Sequence, residues 1–119
     1  MIEVKTAGLI GPALDWATAK ASETKIDDSR GKELRIDIAP GFQSPWMPSV
    51  NWYQGGPMIE KFGLEIITYS GAYKSVREWY YGEPISFWPS GDTYLIAVCR
   101  AIVAAKLGDT VNVPKELMQ

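Results

Sequence analysis

The chain of 119 residues contains no histidine. Histidine is the side chain whose ordinary pKa lies nearest neutrality, and it is the commonest ligand of transition metals. Its absence excludes catalytic pairs of serine or cysteine with histidine, and it removes most zinc sites. Any chemistry would therefore need carboxylates, lysine, tyrosine or bound Mg²⁺. We expect the protein not to be an enzyme and to hold no metal and no cofactor.

Cysteine is scarce as well, because Cys99 stands alone and no internal disulfide can form. A single thiol fits a reducing compartment. The chain also lacks an apolar run of the roughly 18 to 20 residues that cross a bilayer. Residues 1–6 lack the apolar segment of a secretory signal. We therefore expect a cytoplasmic protein with no membrane partner.

An excess of positive charge is missing too, since the net charge is -2 and the pI is near 5.1. Binding of long nucleic acid draws most of its affinity from cations that neutralise phosphates, so we do not expect such a partner. The hydrophobic fraction of 46% and the charged fraction of 22% are typical of a globular protein. The length allows one domain, and we expect it to span residues 1–119.

Helical periodicity is present in two parts of the sequence. Residues 9–23 have helical spacing, and Thr6 could cap the amides of their first turn. Near the end of the chain, apolar residues recur at i, i+3, i+4, i+7 and i+8, which predicts a second helix with one apolar stripe. The stripe consists of Leu95, Val98, Cys99, Ile102 and Val103. Ser90 or Asp92 could cap this helix, and Gly108 is placed to end it.

Strand patterns lie between the two predicted helices and after the second of them. Residues 33–38 alternate between apolar and polar side chains, which indicates a half-buried strand. Its apolar face would be Leu34, Ile36 and Ile38. Residues 64–69 and 74–81 predict a hairpin with a turn at residues 70–71, and residues 110–113 predict a short edge strand. The fold class predicted is α+β, with a small antiparallel sheet of three to four strands packed with two helices.

Residues 39–57 are rich in proline and glycine, yet they also carry several aromatic side chains. We expect an irregular loop here, and a long ordered loop in a compact domain is often functional. Gly55 and Gly56 would let the backbone approach a ligand, while Trp52 and Tyr53 would offer stacking faces. The alternative is a hairpin turn whose aromatic rings complete the core.

A second aromatic loop leads into the last predicted helix. Trp88 would offer another ring, and Ser90, Gly91 and Thr93 could donate hydrogen bonds to a phosphate or carboxylate at the helix start. Asp92 opposes an anion there, because its carboxylate would compete for the same amides. The alternative is a capped helix with ordinary aromatic packing.

Arg100 lies off the apolar stripe of the last helix, among residues with small side chains. Its planar guanidinium could contact a phosphate at two points. The small neighbours Ala97, Ala101 and Ala104 would allow another element or subunit to approach. The alternative for Arg100 is an exposed and solvated side chain, and Cys99 is expected to be a buried, inert thiol.

Three blocks of the sequence are distinctive. They are LIGPALDWA at residues 9–17, NWYQGGPMIE at residues 51–60, and the helical end of the chain over residues 93–114. Together and in this order, they resemble the NinX-like family of small bacteriophage proteins. The resemblance implies a phage protein that is made inside a bacterial host cell.

Two non-enzymatic functions fit this setting. In the first, the protein evades host defence by sequestering a small ligand, such as a cyclic nucleotide or an ADP-ribose derivative that carries an immune signal. Binding alone must then suffice, so the ligand site should be enclosed, and a homo-oligomer would enclose it. In the second, the aromatic loop binds a host protein, because Trp, Tyr and Arg are common hot-spot residues. An enzyme that uses Mg²⁺ and carboxylates is a third hypothesis.

Overall fold

Three α-helices and eight strands lie within the part of the chain that the computed structural model describes, namely residues 1–69, 73–80, 83–84 and 90–118. The helices are α1 (Gly11–Ala21), α2 (Trp52–Lys61) and α3 (Tyr94–Leu107). The strands are β1 (Ile2–Lys5), β2 (Arg35–Ala39), β3 (Phe42–Pro45), β4 (Leu64–Tyr69), β5 (Tyr73–Tyr80), β6 (Glu83–Pro84), β7 (Ser90–Gly91) and β8 (Thr110–Val113). The predicted α+β class is confirmed.

The strands form three antiparallel sheets within the described residues. β1 pairs with β8, and β2 pairs with β3. In the third sheet β5 pairs with β4, and the short strands β6 and β7 also pair with β5. The predicted single sheet of three to four strands packed with two helices is confirmed in part, since this third sheet has four strands. The first and last strands pair with each other instead of joining the central hairpin, and a third helix, α2, is present.

The strands predicted from local patterns are largely confirmed. β4 covers residues 64–69, β5 is displaced by one residue from the predicted range, and β8 covers residues 110–113. The predicted turn at residues 70–71 lies outside the described residues. The strand predicted at residues 33–38 is β2, and its apolar face is only partly buried, because Leu34, just before β2, is 3% exposed whereas Ile38 is 66% exposed. The register of the β2–β3 pair shifts just there, between Asp37 and Ala39.

The core is built around α3, which packs against α1, α2 and β5. The whole predicted stripe is buried, namely Leu95, Val98, Cys99, Ile102 and Val103. Ala97, Ala101 and Ala104 are buried as well, so α3 is apolar around most of its circumference. Burial raises the pKa of the Cys99 thiol to about 12. The expectation of a buried thiol is confirmed, and its inertness stays a prediction.

The start of α1 differs from its prediction. Ile10 occupies the N-cap position without a side-chain hydrogen bond, and Pro12 lies in the first turn, where a missing amide hydrogen is tolerated. Thr6 does not cap the helix. Its hydroxyl donates to the carbonyl oxygen of Gly108 at 2.7 Å, and its amide donates to the carbonyl oxygen of Asp109 at 2.8 Å. Thr6 therefore joins the start of the chain to the segment that follows α3.

Residues 39–57 are not an irregular loop, so that prediction is wrong. They contain β3 and the start of α2, which Asn51 caps by accepting a hydrogen bond from the Tyr53 amide at 2.9 Å. Gly55 lies inside this helix, where a Cβ would meet the carbonyl oxygen of Pro48 and lie 2.8 Å from Cδ2 of Leu95. The glycine is present because α2 packs this closely, not because the backbone is irregular.

The ends of α3 were predicted in part. Thr93 caps the helix, since its hydroxyl accepts a hydrogen bond from the Ile96 amide at 3.2 Å. The expectation that Ser90 or Asp92 would cap the helix is wrong, because Thr93 occupies the cap position. Ser90 lies further back in the chain, in β7. Gly108 ends the helix at a φ of 99°, a left-handed conformation that favours glycine, as predicted.

Candidate functional site

Two neighbouring concavities lie on either side of residues 46–51, the connecting segment between β3 and α2. The Asp15 pocket has a volume of about 430 Å³, and its lining includes Gly11, Asp15, Lys32, Arg35, Trp46 and Val50. The Trp52 cleft has a volume of about 300 Å³, and its lining includes Ser49, Val50, Trp52, Asp92, Thr93 and Tyr94. Ser49 and Val50 line both concavities, so the connecting segment is their shared wall.

The connecting segment is held by a buried acid on α1. Asp15 is only 4% exposed, and its Oδ1 accepts a hydrogen bond from the Ser49 amide at 2.9 Å. Its backbone carbonyl accepts a second one from Nε1 of Trp46 at 2.8 Å. On the other side, the Gln54 side chain accepts from the Met47 amide at 2.7 Å. The shared wall is thus anchored to both α1 and α2.

Burial raises the pKa of Asp15 from 3.8 to about 6, although the hydrogen bonds from Ser49 oppose the shift. Sequence reasoning missed this residue, because an acid inside an amphipathic helix is usually solvated. A signal was available in the LDW run of residues 14–16, where an acid stands between two bulky apolar side chains. Perturbed carboxylates that line a cavity are candidates for function.

The rim of the Asp15 pocket carries positive charge. Lys32 is exposed and Arg35 is half-buried, and both belong to the lining. The start of α1 also faces this lining through Gly11, and the positive end of the helix dipole is not offset by an acid in the first turn. Glu33 adds one negative charge to the lining. The pocket therefore combines an acidic interior with a mainly basic rim.

Two sequence-predicted site residues come together in the Trp52 cleft. Trp52 is 55% exposed at the start of α2, and Thr93 lies at the start of α3. The Thr93 hydroxyl already caps α3, and Asp92 lines the same cleft. The start of α3 therefore has a carboxylate beside it, which disfavours an anion at that point. What the cleft offers a ligand is mainly the partly exposed indole of Trp52.

The other predicted site residues are dispersed. Tyr53 is 94% exposed on the outer side of α2, and Gly56 lies beside the Trp52 ring. Gly91 packs against α3, where a Cβ would lie 2.7 Å from Cγ2 of Ile96. Gly55 and Gly91 are therefore packing positions. Trp88 lies outside the described residues.

Arg100 has a structural role. Its Nε donates to the carbonyl oxygen of Leu9 at 2.9 Å, and its Nη1 donates to the carbonyl oxygen of Ser90 at 2.8 Å. Partial burial lowers the pKa of Arg100, while the charge of Asp92 acts in the opposite direction. Arg100 thus connects α3 to the segment before α1 and to β7, and Ser90 contributes its carbonyl to this contact.

Replacing Arg100 with methionine should lower the free energy of unfolding by roughly 2 kcal/mol, because two carbonyl groups lose a charged donor. Urea denaturation of Arg100→Met and of the exposed control Arg30→Met measures the difference. A variant that keeps its stability but loses ligand binding would instead assign Arg100 to a ligand site.

The fold and its two concavities define a small α+β protein with an open surface site. Within the described residues, no helix is long and apolar enough to span a membrane, and no group of three potential metal ligands occurs. A family model with the description "Bacteriophage P22, NinX" matches residues 5–106. The chain belongs to this family of phage proteins, and the resemblance found in the sequence is confirmed. No curated protein matches the chain.

Proposed function

We propose that the protein binds a small ligand inside the bacterial host cell and sequesters it without converting it. The observation that supports this most strongly is the pair of adjoining concavities with a shared, anchored wall. The volume of the Asp15 pocket, about 430 Å³, lies in the range of roughly 300 to 1,000 Å³ that small-molecule sites occupy. No histidine is available for acid–base catalysis, so binding itself would be the activity.

The ligand we propose is a nucleotide that carries an immune signal of the host, such as a cyclic nucleotide or an ADP-ribose derivative. Trp52 offers an exposed indole on which a base can stack, and Lys32 and Arg35 offer positive charge for a phosphate. Such a ligand has two ends of different chemistry, which suits two adjoining concavities. Because both are open to solvent, a second copy of the chain would enclose the ligand, and we include a homo-oligomer in the proposal.

Calorimetric titration with a panel of cyclic dinucleotides, cyclic trinucleotides and ADP-ribose derivatives tests the proposal. Any ligand that binds is then recovered by denaturing the complex, and its mass is measured. An intact ligand supports sequestration, whereas a converted one would show that the protein is an enzyme. A panel without a binder would contradict the nucleotide proposal.

Within the panel, Trp52→Ala should raise Kd by about 5-fold to 150-fold, because stacking of a base on an aromatic ring contributes roughly 1–3 kcal/mol. The matched control is Tyr53→Ala, which removes a ring from the next position of α2 but outside the lining of either concavity. The control should bind as the unaltered protein does. If both variants lose the same amount of affinity, the ligand does not bind in the Trp52 cleft.

A second candidate function is binding of a host protein, and the exposed apolar residues of the connecting segment and α2 favour it. Val50 is 65% exposed, Trp52 55% and Tyr53 94%, and Trp and Tyr are common hot-spot residues of protein interfaces. Capture from a bacterial lysate tests it. A protein that is captured by the unaltered chain but by neither Trp52→Ala nor Tyr53→Ala would indicate a protein interface. Tyr53 lies outside the Trp52 cleft, so its replacement should not affect a small ligand there.

A further inference from the structure

Residues 38–59 contain no charged side chain, although charged residues make up 22% of the chain. This stretch is not hidden in the core. Its exposed large apolar side chains are Ile38, Phe42, Met47, Val50, Trp52 and Tyr53. The centres of protein interfaces are depleted in charged residues and enriched in methionine and aromatic residues. The stretch therefore has the composition of an interface.

Four exposed residues of this stretch lie together around the connecting segment. Pro45, Met47 and Val50 belong to the lining of the Asp15 pocket, and Val50 and Trp52 belong to the lining of the Trp52 cleft. Each of the four is exposed to solvent. Because Val50 lies in both linings, the four residues form one surface at the mouths of the two concavities. We call this surface the connecting-segment face.

The backbone beneath the connecting-segment face is already hydrogen-bonded. The amides of Val50 and Asn51 donate to the carbonyl oxygen of Met47 at 3.1 and 2.8 Å. The amides of Met47 and Ser49 donate to side chains of α2 and α1, as described above, and Pro48 has no amide hydrogen. The face thus presents apolar side chains on an ordered backbone. A partner would pack against these side chains at little cost in ordering the segment.

The charge pattern favours a second copy of the chain as this partner. Complexes between different proteins use charged groups for selectivity, and the connecting-segment face has none, whereas homodimer interfaces are the more apolar class. The charges beside the face are of both signs, since Lys32, Glu33 and Arg35 line the Asp15 pocket. A two-fold axis brings identical surfaces together, so a rim of both signs can pair with itself. Each copy has a net charge of -2, and an uncharged face lets two copies meet with little repulsion.

We infer that the connecting-segment face binds the same face of a second copy around a two-fold axis. The inference deepens the proposed function, because it assigns the interface of the homo-oligomer. One consequence rests on that function: since the face surrounds the mouths of both concavities, each copy covers the ligand site of the other.

Sedimentation equilibrium of the unaltered protein tests the inference, and we expect a mass of twice 13.2 kDa at micromolar concentration. Met47→Glu should raise the dissociation constant of the dimer at least about 100-fold, because each copy then brings an acid into an uncharged interface. The matched control is Met118→Glu. Met118 is 43% exposed and Met47 is 42% exposed, but Met118 lies outside both linings, so the control should remain a dimer. Circular dichroism establishes that each variant is folded.

Amide hydrogen exchange locates the interface without any substitution. When the concentration of the unaltered protein is raised from below to above the dissociation constant of the dimer, exchange within residues 47–53 should slow. Exchange within residues 115–118 should stay the same. If Met47→Glu does not fold, this measurement decides the question.

An unaltered protein that stays monomeric, or a dimer that Met47→Glu leaves intact, would overturn the inference. A monomer that captures a host protein through Met47 would assign the connecting-segment face to the second candidate function instead. If the dimer forms through this face but no nucleotide of the panel binds, the inference stands and the proposed function fails. If a monomeric chain binds a nucleotide and returns it intact, sequestration stands without this interface.

Discussion

Replacement of Gly55 with alanine is expected to lower the free energy of unfolding by about 3 kcal/mol or more. The added Cβ would collide with the carbonyl oxygen of Pro48 and lie 2.8 Å from Cδ2 of Leu95. The carbonyl oxygen of Pro48 cannot rotate away as a side chain can, so α2 would have to move away from the connecting segment. Alanine is the better helix former by about 1 kcal/mol, which is too little to offset the collision.

Gly56→Ala is the matched control, because it adds the same atom one position further along the same helix. Here the Cβ would lie 3.4 Å from Cε3 of Trp52, which is an ordinary contact. Alanine favours the helix more than glycine does, but Pro57 disfavours a helical conformation of the residue before it. We therefore expect the free energy of unfolding to change by no more than about 1 kcal/mol. Urea denaturation measures the free energy of unfolding of both variants. Equal decreases in the two variants would contradict the close packing around Gly55.

The ionisation of Asp15 should make the protein less stable as the pH rises. Its pKa in the folded protein is raised from 3.8 to about 6, so the folded state binds the proton more tightly than the unfolded state does. The contribution of the protonated Asp15 to the free energy of unfolding is complete below about pH 4. It is lost as the pH rises through about 6. The shift corresponds to about 3 kcal/mol in the free energy of unfolding between about pH 4 and about pH 7.5.

Asp15→Asn isolates this contribution, because the variant has no proton to lose at that position. Subtracting the free energy of unfolding of the unaltered protein from that of Asp15→Asn should give a difference that grows by about 3 kcal/mol over the same pH range. Other carboxyl groups contribute equally to both proteins and cancel. Asp27 does not interfere, since hydrogen bonds from Ser29 and Gln43 lower its pKa to about 2, below this range. A constant difference would refute the raised pKa.

Elements with a strong local pattern were predictable from the sequence. The apolar stripe of α3 and the helix end at Gly108 follow from spacing and from glycine's tolerance of positive φ. β8 and the β4–β5 hairpin follow from alternation between turn signals. In each case the residues that decide the structure lie within a few positions of one another, so a short window contains the necessary information.

The helix α2 was not predictable in this way. Its glycine pair and Pro57 have the composition of a loop, and a local pattern therefore indicates irregular structure. What stabilises the helix is the Asn51 cap at its start and close contact of Gly55 with Pro48 and Leu95. Leu95 is distant in the sequence, and no local pattern reports such a contact. The division of the strands among three sheets escaped prediction for the same reason.

The candidate site was partly visible in the sequence. Trp52 and Thr93, which were proposed as ligand contacts in separate parts of the sequence, line one cleft. Arg100 donates to two backbone carbonyls, so its observed contacts are structural, and its contact with a ligand stays a prediction. Asp15 was missed, since periodicity shows where a helix is but not whether an acid on it is enclosed by residues from another segment.

The pairing of β1 with β8 affects how the chain can fold during synthesis. Thr6 and Gly108 are hydrogen-bonded across 102 positions, and Ile2 pairs with Val113. Closing so long a loop is entropically costly, and contacts of large sequence separation slow folding. On the ribosome, β1 emerges before β8, so Ile2 and Val4 remain without these partners until residues 110–113 have also been synthesised.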